Sequence, residues 1–150
     1  MKKILFLFCL PLLVFASCKK SDTKSPYQII MKASVNGQDW STTNVTSRYD
    51  ILGTDITLVI LGETSNGQAI ALHVVNYGHG KGMIPLVAKH DASPGVSADA
   101  AYSNTYTFNV ATSGYLTITK VTEDVVEGTF YFEGPGATVT NGSFTAAAPH

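Results

Sequence analysis

The sequence predicts an all-β fold, a single antiparallel β-sandwich or small β-barrel domain, and three observations carry that prediction. Charged residues make up only 14% of the 150-residue chain, while Thr, Val, Gly, Tyr and Phe are abundant, and branched and aromatic side chains suit a pleated surface. Apolar residues alternate with a period of two over several short segments, and no segment keeps a helical period for eleven residues. Turn signals interrupt the pattern every ten or so residues, the spacing of sandwiches and barrels.

From Gln28, "QIIMKASVNGQDW" places Ile29, Met31, Ala33 and Val35 on one face and then reaches Asn36-Gly37. Asn-Gly between alternating runs predicts a hairpin, because a type I′ turn needs positive φ at both central positions. That turn sets Val35 opposite Gln38 and Ala33 opposite Trp40, so the single tryptophan is expected in the core rather than as a platform for stacking a ligand. "DITLVILGETSNGQAIALHVVNY" predicts a second hairpin turning at Asn66-Gly67. A two-residue loop there pairs Val59 with Val74, Ile60 with His73 and Leu58 with Val75. Both faces of this hairpin are apolar, whereas a hairpin with one wet side alternates apolar and polar. It is therefore expected either at the centre of a packed structure or with one face lining an internal cavity.

Met83 to Val87 contains Pro85, which suits an edge strand or a bulge, and "AKHDASPGVSAD" reads as a loop. "AAYSNTYTFNV" alternates as one strand, with Tyr102, Tyr106, Phe108 and Val110 on one side. "GYLTITKV" and "VVEGTFYFEG" are joined by a tight connection at Thr122 to Asp124, with Leu116, Ile118, Val126, Phe130 and Phe132 facing in. "ATVTNGSFT" is a last strand, in which Asn141-Gly142 is either a turn or a bulge.

The N-terminus predicts an address. Lys2 and Lys3 precede an apolar segment from Ile4 to Phe15, well short of the roughly 20 residues that span a bilayer. Basic start, short apolar run and small residues form the layout of a secretory signal peptide. Phe15-Ala16-Ser17 directly before Cys18 resembles the bacterial lipobox. The resemblance implies that Cys18 is diacylated on sulfur and becomes the mature N-terminus; one acyl chain binds marginally, whereas two or three anchor stably. Cys9 leaves with the signal, so no disulfide is expected. The expected organisation is a signal peptide over 1–17, acylated Cys18 with a polar tether over 18–27, and the β domain over 28–148. Lys19, rather than Asp, after the cysteine resembles outer-membrane lipoproteins, and "CKKSD" lacks the acidic cluster associated with surface export. A periplasm-facing outer-membrane lipoprotein is the expectation.

"KASVNGQDW", "GKGMIPL", "AAYSNTYTF", "GYLTITKV", "VVEGTFYFEG" and "ATVTNGSF" together resemble a family of small, uncharacterised Bacteroidota-type cell-envelope lipoproteins. The resemblance implies an all-β domain behind a lipid anchor, and it brings no catalytic residues.

His73, His79, His90 and His150 form no HExxH or His-x-His pattern, so no metal or other cofactor is expected. "GHGKG" at 78–82 lacks the spacing and the Ser or Thr of a phosphate loop. No Gly-x-Ser-x-Gly elbow occurs, and the acids fall mostly at turns or outward strand positions. Removing Lys2 and Lys3 from 10 basic residues leaves 8 against 11 acids, a net charge near −3, with no basic stripe for nucleic acid. The expectation is a non-enzymatic module binding an envelope protein or glycan, with Tyr49, Tyr77 and Tyr131 as candidate surface aromatics. The alternative is a lipocalin-like barrel holding a small apolar ligand in a cavity lined by Leu58, Ile60, His73 and Val75.

Overall fold

A computed structural model of the protein describes residues 26–86 and 95–150. Cys18 and His90 lie outside the described residues. The strands are β1 (Ile30–Val35), β2 (Gln38–Thr42), β3 (Val45–Leu52), β4 (Asp55–Glu63), β5 (Ala69–Val75), β6 (Gly82–Pro85), β7 (Ser97–Ser103), β8 (Phe108–Val110), β9 (Ser113–Val121), β10 (Val125–Gly134) and β11 (Ala137–Ala147). They form a six-stranded sheet in the order β2-β1-β11-β10-β9-β6 and a five-stranded sheet in the order β3-β4-β5-β7-β8. Both are antiparallel throughout, and the sheets pack face to face as a sandwich. Tyr27, where the chain enters the domain, lies under the Lys120 ammonium at 4.2 Å.

Each sheet contributes one face to the core. Met31, Ala33, Trp40, Val139, Phe144, Phe132 and Leu116 come from the larger sheet, and Leu58, Ile60, Ile70, Leu72 and Val74 from the smaller. Each large side chain buried in this way contributes about 1.5–3 kcal/mol relative to exposure. All five side chains expected to face in from β9 and β10, namely Leu116, Ile118, Val126, Phe130 and Phe132, are buried. β6 with Pro85 is an edge strand, where a missing N–H costs no ladder bond.

The β1–β2 hairpin has the predicted register, with Val35 opposite Gln38 and Ala33 opposite Trp40. Asn36 and Gly37 both take positive φ, 51° and 81°. The β4–β5 hairpin corrects its prediction by one residue. Leu58 faces Val74, Val59 faces His73 and Ile60 faces Leu72. Here the Thr64 N–H donates to the Gln68 carbonyl (2.8 Å) and the Gly67 N–H to the Thr64 carbonyl (3.0 Å). Only Gly67 of the pair has positive φ, 81°. The loop is thus Ser65-Asn66-Gly67, a turn closed by one left-handed residue, and not a two-residue type I′ turn. A one-residue slip moves side chains to the other face, so Leu58 and Ile60 share a face with Leu72 and Val74, and not with His73 and Val75.

A second correction concerns 100–110, which is not one strand. Asn104 breaks it: its side-chain oxygen accepts from the N–H groups of Tyr106 and Thr107, both at 2.9 Å. Such an Asx-type bond builds a turn in place of a ladder. β8 therefore folds back on β7, leaving Tyr106 and Phe108 on the surface. At the C-terminus Asn141 is a bulge, with φ of 53° and the β10–β11 register shifting between Phe130 and Phe132.

Candidate functional site

Two buried side-chain polar atoms among the described residues have no hydrogen-bond partner: the Trp40 indole Nε1 and the Tyr77 hydroxyl. An unpaired buried donor costs about 1–3 kcal/mol, and such a group calls for a specific explanation. Each belongs to a residue lining a pocket.

The Trp40 pocket is built from the turn end of β1. Asn36 clamps that turn to the β10–β11 connection, with its Nδ2 donating to the Gly136 carbonyl (3.2 Å), its Oδ1 accepting from the Thr138 N–H (2.8 Å), and its own N–H donating to the Thr138 carbonyl (2.8 Å). The turn sets β2 in register, which points Trp40 inward between the sheets. The indole has room there because the facing β4 position is Gly62, where a Cβ would lie 3.2 Å from Trp40 Cη2. Trp40 is 5% exposed and its indole N–H is closed to solvent, so it offers no ring face for stacking, in agreement with its expected core role. From the other sheet, the Ser65-Asn66-Gly67 loop delivers Gln68, and β7 delivers Tyr102.

The result is a pocket of about 290 Å³ lined by Val35, Asn36, Gln38, Asp39, Trp40, Gln68 and Tyr102. None of the Gln38, Asp39 or Gln68 side chains is hydrogen-bonded to another described residue. Burial raises the Tyr102 pKa above the ordinary phenol value, which keeps its hydroxyl protonated and able to donate. Three amide residues, a carboxylate and a phenol thus line, together with Val35 and Trp40, a volume near the lower bound of small-molecule sites.

The residues singled out from sequence fall elsewhere. Leu58 and Ile60 are fully buried in the sandwich core, and Val75 and His73 are half-buried on the outer face of the same sheet. These four do not line one cavity. The two-faced apolar pattern of the hairpin arises because β4 and β5 are interior strands, with Val59 covered between Arg48 and His73 in the ladder. His73 Nδ1 lies 2.7 Å from an Asp99 carboxylate oxygen. That hydrogen bond raises the His73 pKa, against the opposing effects of burial and Arg48. Tyr49 and Tyr77 stack with ring centroids 6.5 Å apart beside His79, while Tyr131 lies on the outer face of the larger sheet opposite Tyr115. Among the described residues no three His, Cys, Asp or Glu side chains could together hold a metal ion.

Gln38, Asp39, Gln68 and Tyr102 carry no signal in sequence, since turn-flanking amides and acids are usually just solvated. Only the packing of two sheets unites them.

The fold defines the class: a two-sheet antiparallel β-sandwich with a polar pocket between its sheets. The chain belongs to the family described as "Domain of unknown function (DUF6252)", which it matches over residues 28–147. No curated protein and no solved structure matches it.

Proposed function

We propose that this chain is a non-enzymatic β-module, tethered through acyl chains on Cys18 to the periplasmic side of an outer membrane, that binds an envelope glycan in the Trp40 pocket. The carrying observation is a pocket wall that sets the free amides of Gln38 and Gln68 beside the Asp39 carboxylate and the Tyr102 phenol. A ring of neutral donors and acceptors with one carboxylate suits a polyhydroxylated, uncharged ligand, whose hydroxyls both donate and accept. Glycoside hydrolysis ordinarily requires a pair of carboxyl groups about 5–10 Å apart. Asp39 is the one carboxylate in the pocket lining, which favours binding over cleavage.

The tether supports the same reading. Seven residues lie between Cys18 and Pro26, a reach of at most roughly 28 Å over the Cα–Cα steps that join the two. The chain enters the domain at the start of β1, and the pocket lies at that strand's other end, facing away from the point of attachment.

The test is calorimetric titration of the intact protein with soluble envelope-glycan fragments, alongside a Gln38→Ala/Gln68→Ala variant. The expected result is saturable binding by the native chain, weakened about tenfold or more in the variant, as follows from losing two hydrogen bonds of about 1 kcal/mol each. Equal binding by both proteins would remove the glycan from this pocket.

A further inference from the structure

Near the point where the chain enters the domain, a hairpin tip is apolar and uncovered. Tyr27 lies under Lys120, close to the end of β9. The next residue, Val121, shares a cleft with Thr122, Glu123, Tyr49 and His79. β3 follows this end of the larger sheet: the Ser47 hydroxyl donates to the Ala147 carbonyl at the close of β11, and Tyr49 then reaches the β9–β10 connection. Three residues further on the strand ends at Leu52, about 10 Å past Tyr49 at the usual rise. Chain entry and hairpin tip therefore flank the same connection.

The β3–β4 hairpin closes tightly. Leu52 faces Asp55 across the two-residue loop Gly53-Thr54, and Gly53 takes φ of 64°, the left-handed first position of a type II′ turn. Ile51 and Leu52 are 71% and 84% exposed. As successive strand residues they point to opposite sides of the ribbon, so no small rotation of the hairpin buries both against the domain. The turns beside the Trp40 pocket are built differently. Asn36-Gly37 leads into Gln38, and Ser65-Asn66-Gly67 leads into Gln68, polar residues throughout.

We propose that the β3–β4 tip docks on a zwitterionic phospholipid bilayer, with Ile51 and Leu52 seated between headgroups and acyl chains. The inference rests on the acylated tether proposed above. The seven residues between Cys18 and Pro26 hold the entry point within at most roughly 28 Å of the bilayer. The lipid surface is then at high effective concentration, and docking gives up little further translational freedom. Each large apolar side chain fully buried favours the docked state about tenfold or more. Arg48 and Asp50 beside the tip pair at 2.8 Å and carry no net charge together, while the Asp55 carboxylate disfavours an anionic surface. Docking fixes the domain's orientation on the membrane, where a tether alone leaves it free to tumble.

The test uses the full chain, processed and held in phosphatidylcholine nanodiscs that carry a headgroup nitroxide lipid, with Ile, Leu and Val methyl groups labelled for NMR. The Ile51 and Leu52 methyl signals should lose most of their intensity relative to discs without nitroxide, while those of Val35, at the other end of β1, should keep theirs. Ile51→Ser/Leu52→Ser alters only exposed positions, and in that variant the signal of Ile56, the cross-strand partner of Ile51, should recover. Acyl mass on the N-terminal peptide of the same sample reads the tether separately. Acylated protein whose tip signals are no weaker than those of Val35 would overturn the docking and leave the tether standing. Ile56 attenuation unchanged in the double variant would overturn it too, since the tether alone would then be holding the domain close. Tip signals that ignore the nitroxide but shift with protein concentration would mark a contact between copies of the chain, and would also overturn it.

Discussion

Phe130 and Gly142 face each other across the β10–β11 ladder, and the phenyl ring occupies the space a side chain at 142 would need. A Cβ on Gly142 would fall 2.4 Å from that ring. The relationship repeats with the partners exchanged two residues along, where Phe144 covers Gly128 at 2.6 Å. Phe130 lies 6.3 Å from Phe132 and 6.4 Å from Phe144 between ring centroids. Three aromatics thus pack in the inner layer because two glycines leave room for them. Overpacking such a site costs about 1–3 kcal/mol, so Gly142→Ala and Gly128→Ala should each lower unfolding free energy by that much in urea denaturation. Midpoints unchanged from the native chain would contradict this packing.

Asn36 carries both a left-handed backbone and two side-chain hydrogen bonds to the β10–β11 connection. Asn36→Ala forfeits the bonds, at about 0.5–1.5 kcal/mol each, and adds about 1–2 kcal/mol of left-handed strain. The expected loss is about 2–5 kcal/mol. Asn36→Gly removes the bonds but relieves the strain, so it should be the milder of the two by thermal or denaturant unfolding. The reverse order would rule out the left-handed turn.

His73 titrates above its ordinary value of 6.5 because Asp99 accepts a hydrogen bond from it. A raised folded-state pKa favours the protonated form, so the pair's stabilisation is fully present below about pH 6.5 and fades as pH rises through the folded value. Both side chains are partly exposed, and solvent screening holds the contribution under about 1 kcal/mol. Proton NMR of the imidazole should give a midpoint above 6.5 that falls on Asp99→Asn. A native midpoint at or below 6.5 would contradict the pairing.

Cys18→Ala tests the tether. The variant should be released from membranes or remain unprocessed, and the native N-terminal peptide should carry acyl mass. Native protein fractionating with membranes without acyl mass on that peptide would refute acylation, whatever else holds it there.

The three Asn-Gly pairs mark the extent to which the fold was legible. All three dipeptides tolerate left-handed backbone, and the structure uses that tolerance in three ways. Both residues adopt it at 36–37, only Gly67 at 66–67, and only Asn141 at 141–142. The first hairpin register was readable because its loop is the two-residue kind the dipeptide favours. The second slipped because Ser65 joins the loop, a choice made by the ladder and the Thr64 and Gln68 contacts rather than by the dipeptide. Strand faces were readable wherever a period of two ran unbroken, as along β9 and β10. It misled at Asn104, where a side chain replaces a ladder bond and the alternation continues through a turn. The pockets were not legible at all. Gln38 and Tyr102 meet only through the packing of two sheets, and neither unpaired donor can be recognised before its surroundings are known.

The single tryptophan makes the central claim directly observable. In a ¹H–¹⁵N spectrum the chain has one indole resonance, that of the Trp40 N–H, and an unpaired donor should give it a position typical of a weakly hydrogen-bonded indole. Adding a soluble envelope glycan should move that resonance in proportion to occupancy, as the ligand fills the pocket that Trp40 lines, and Gln38→Ala/Gln68→Ala should suppress the movement. A glycan that binds the protein while the Trp40 resonance stays still would contradict the account.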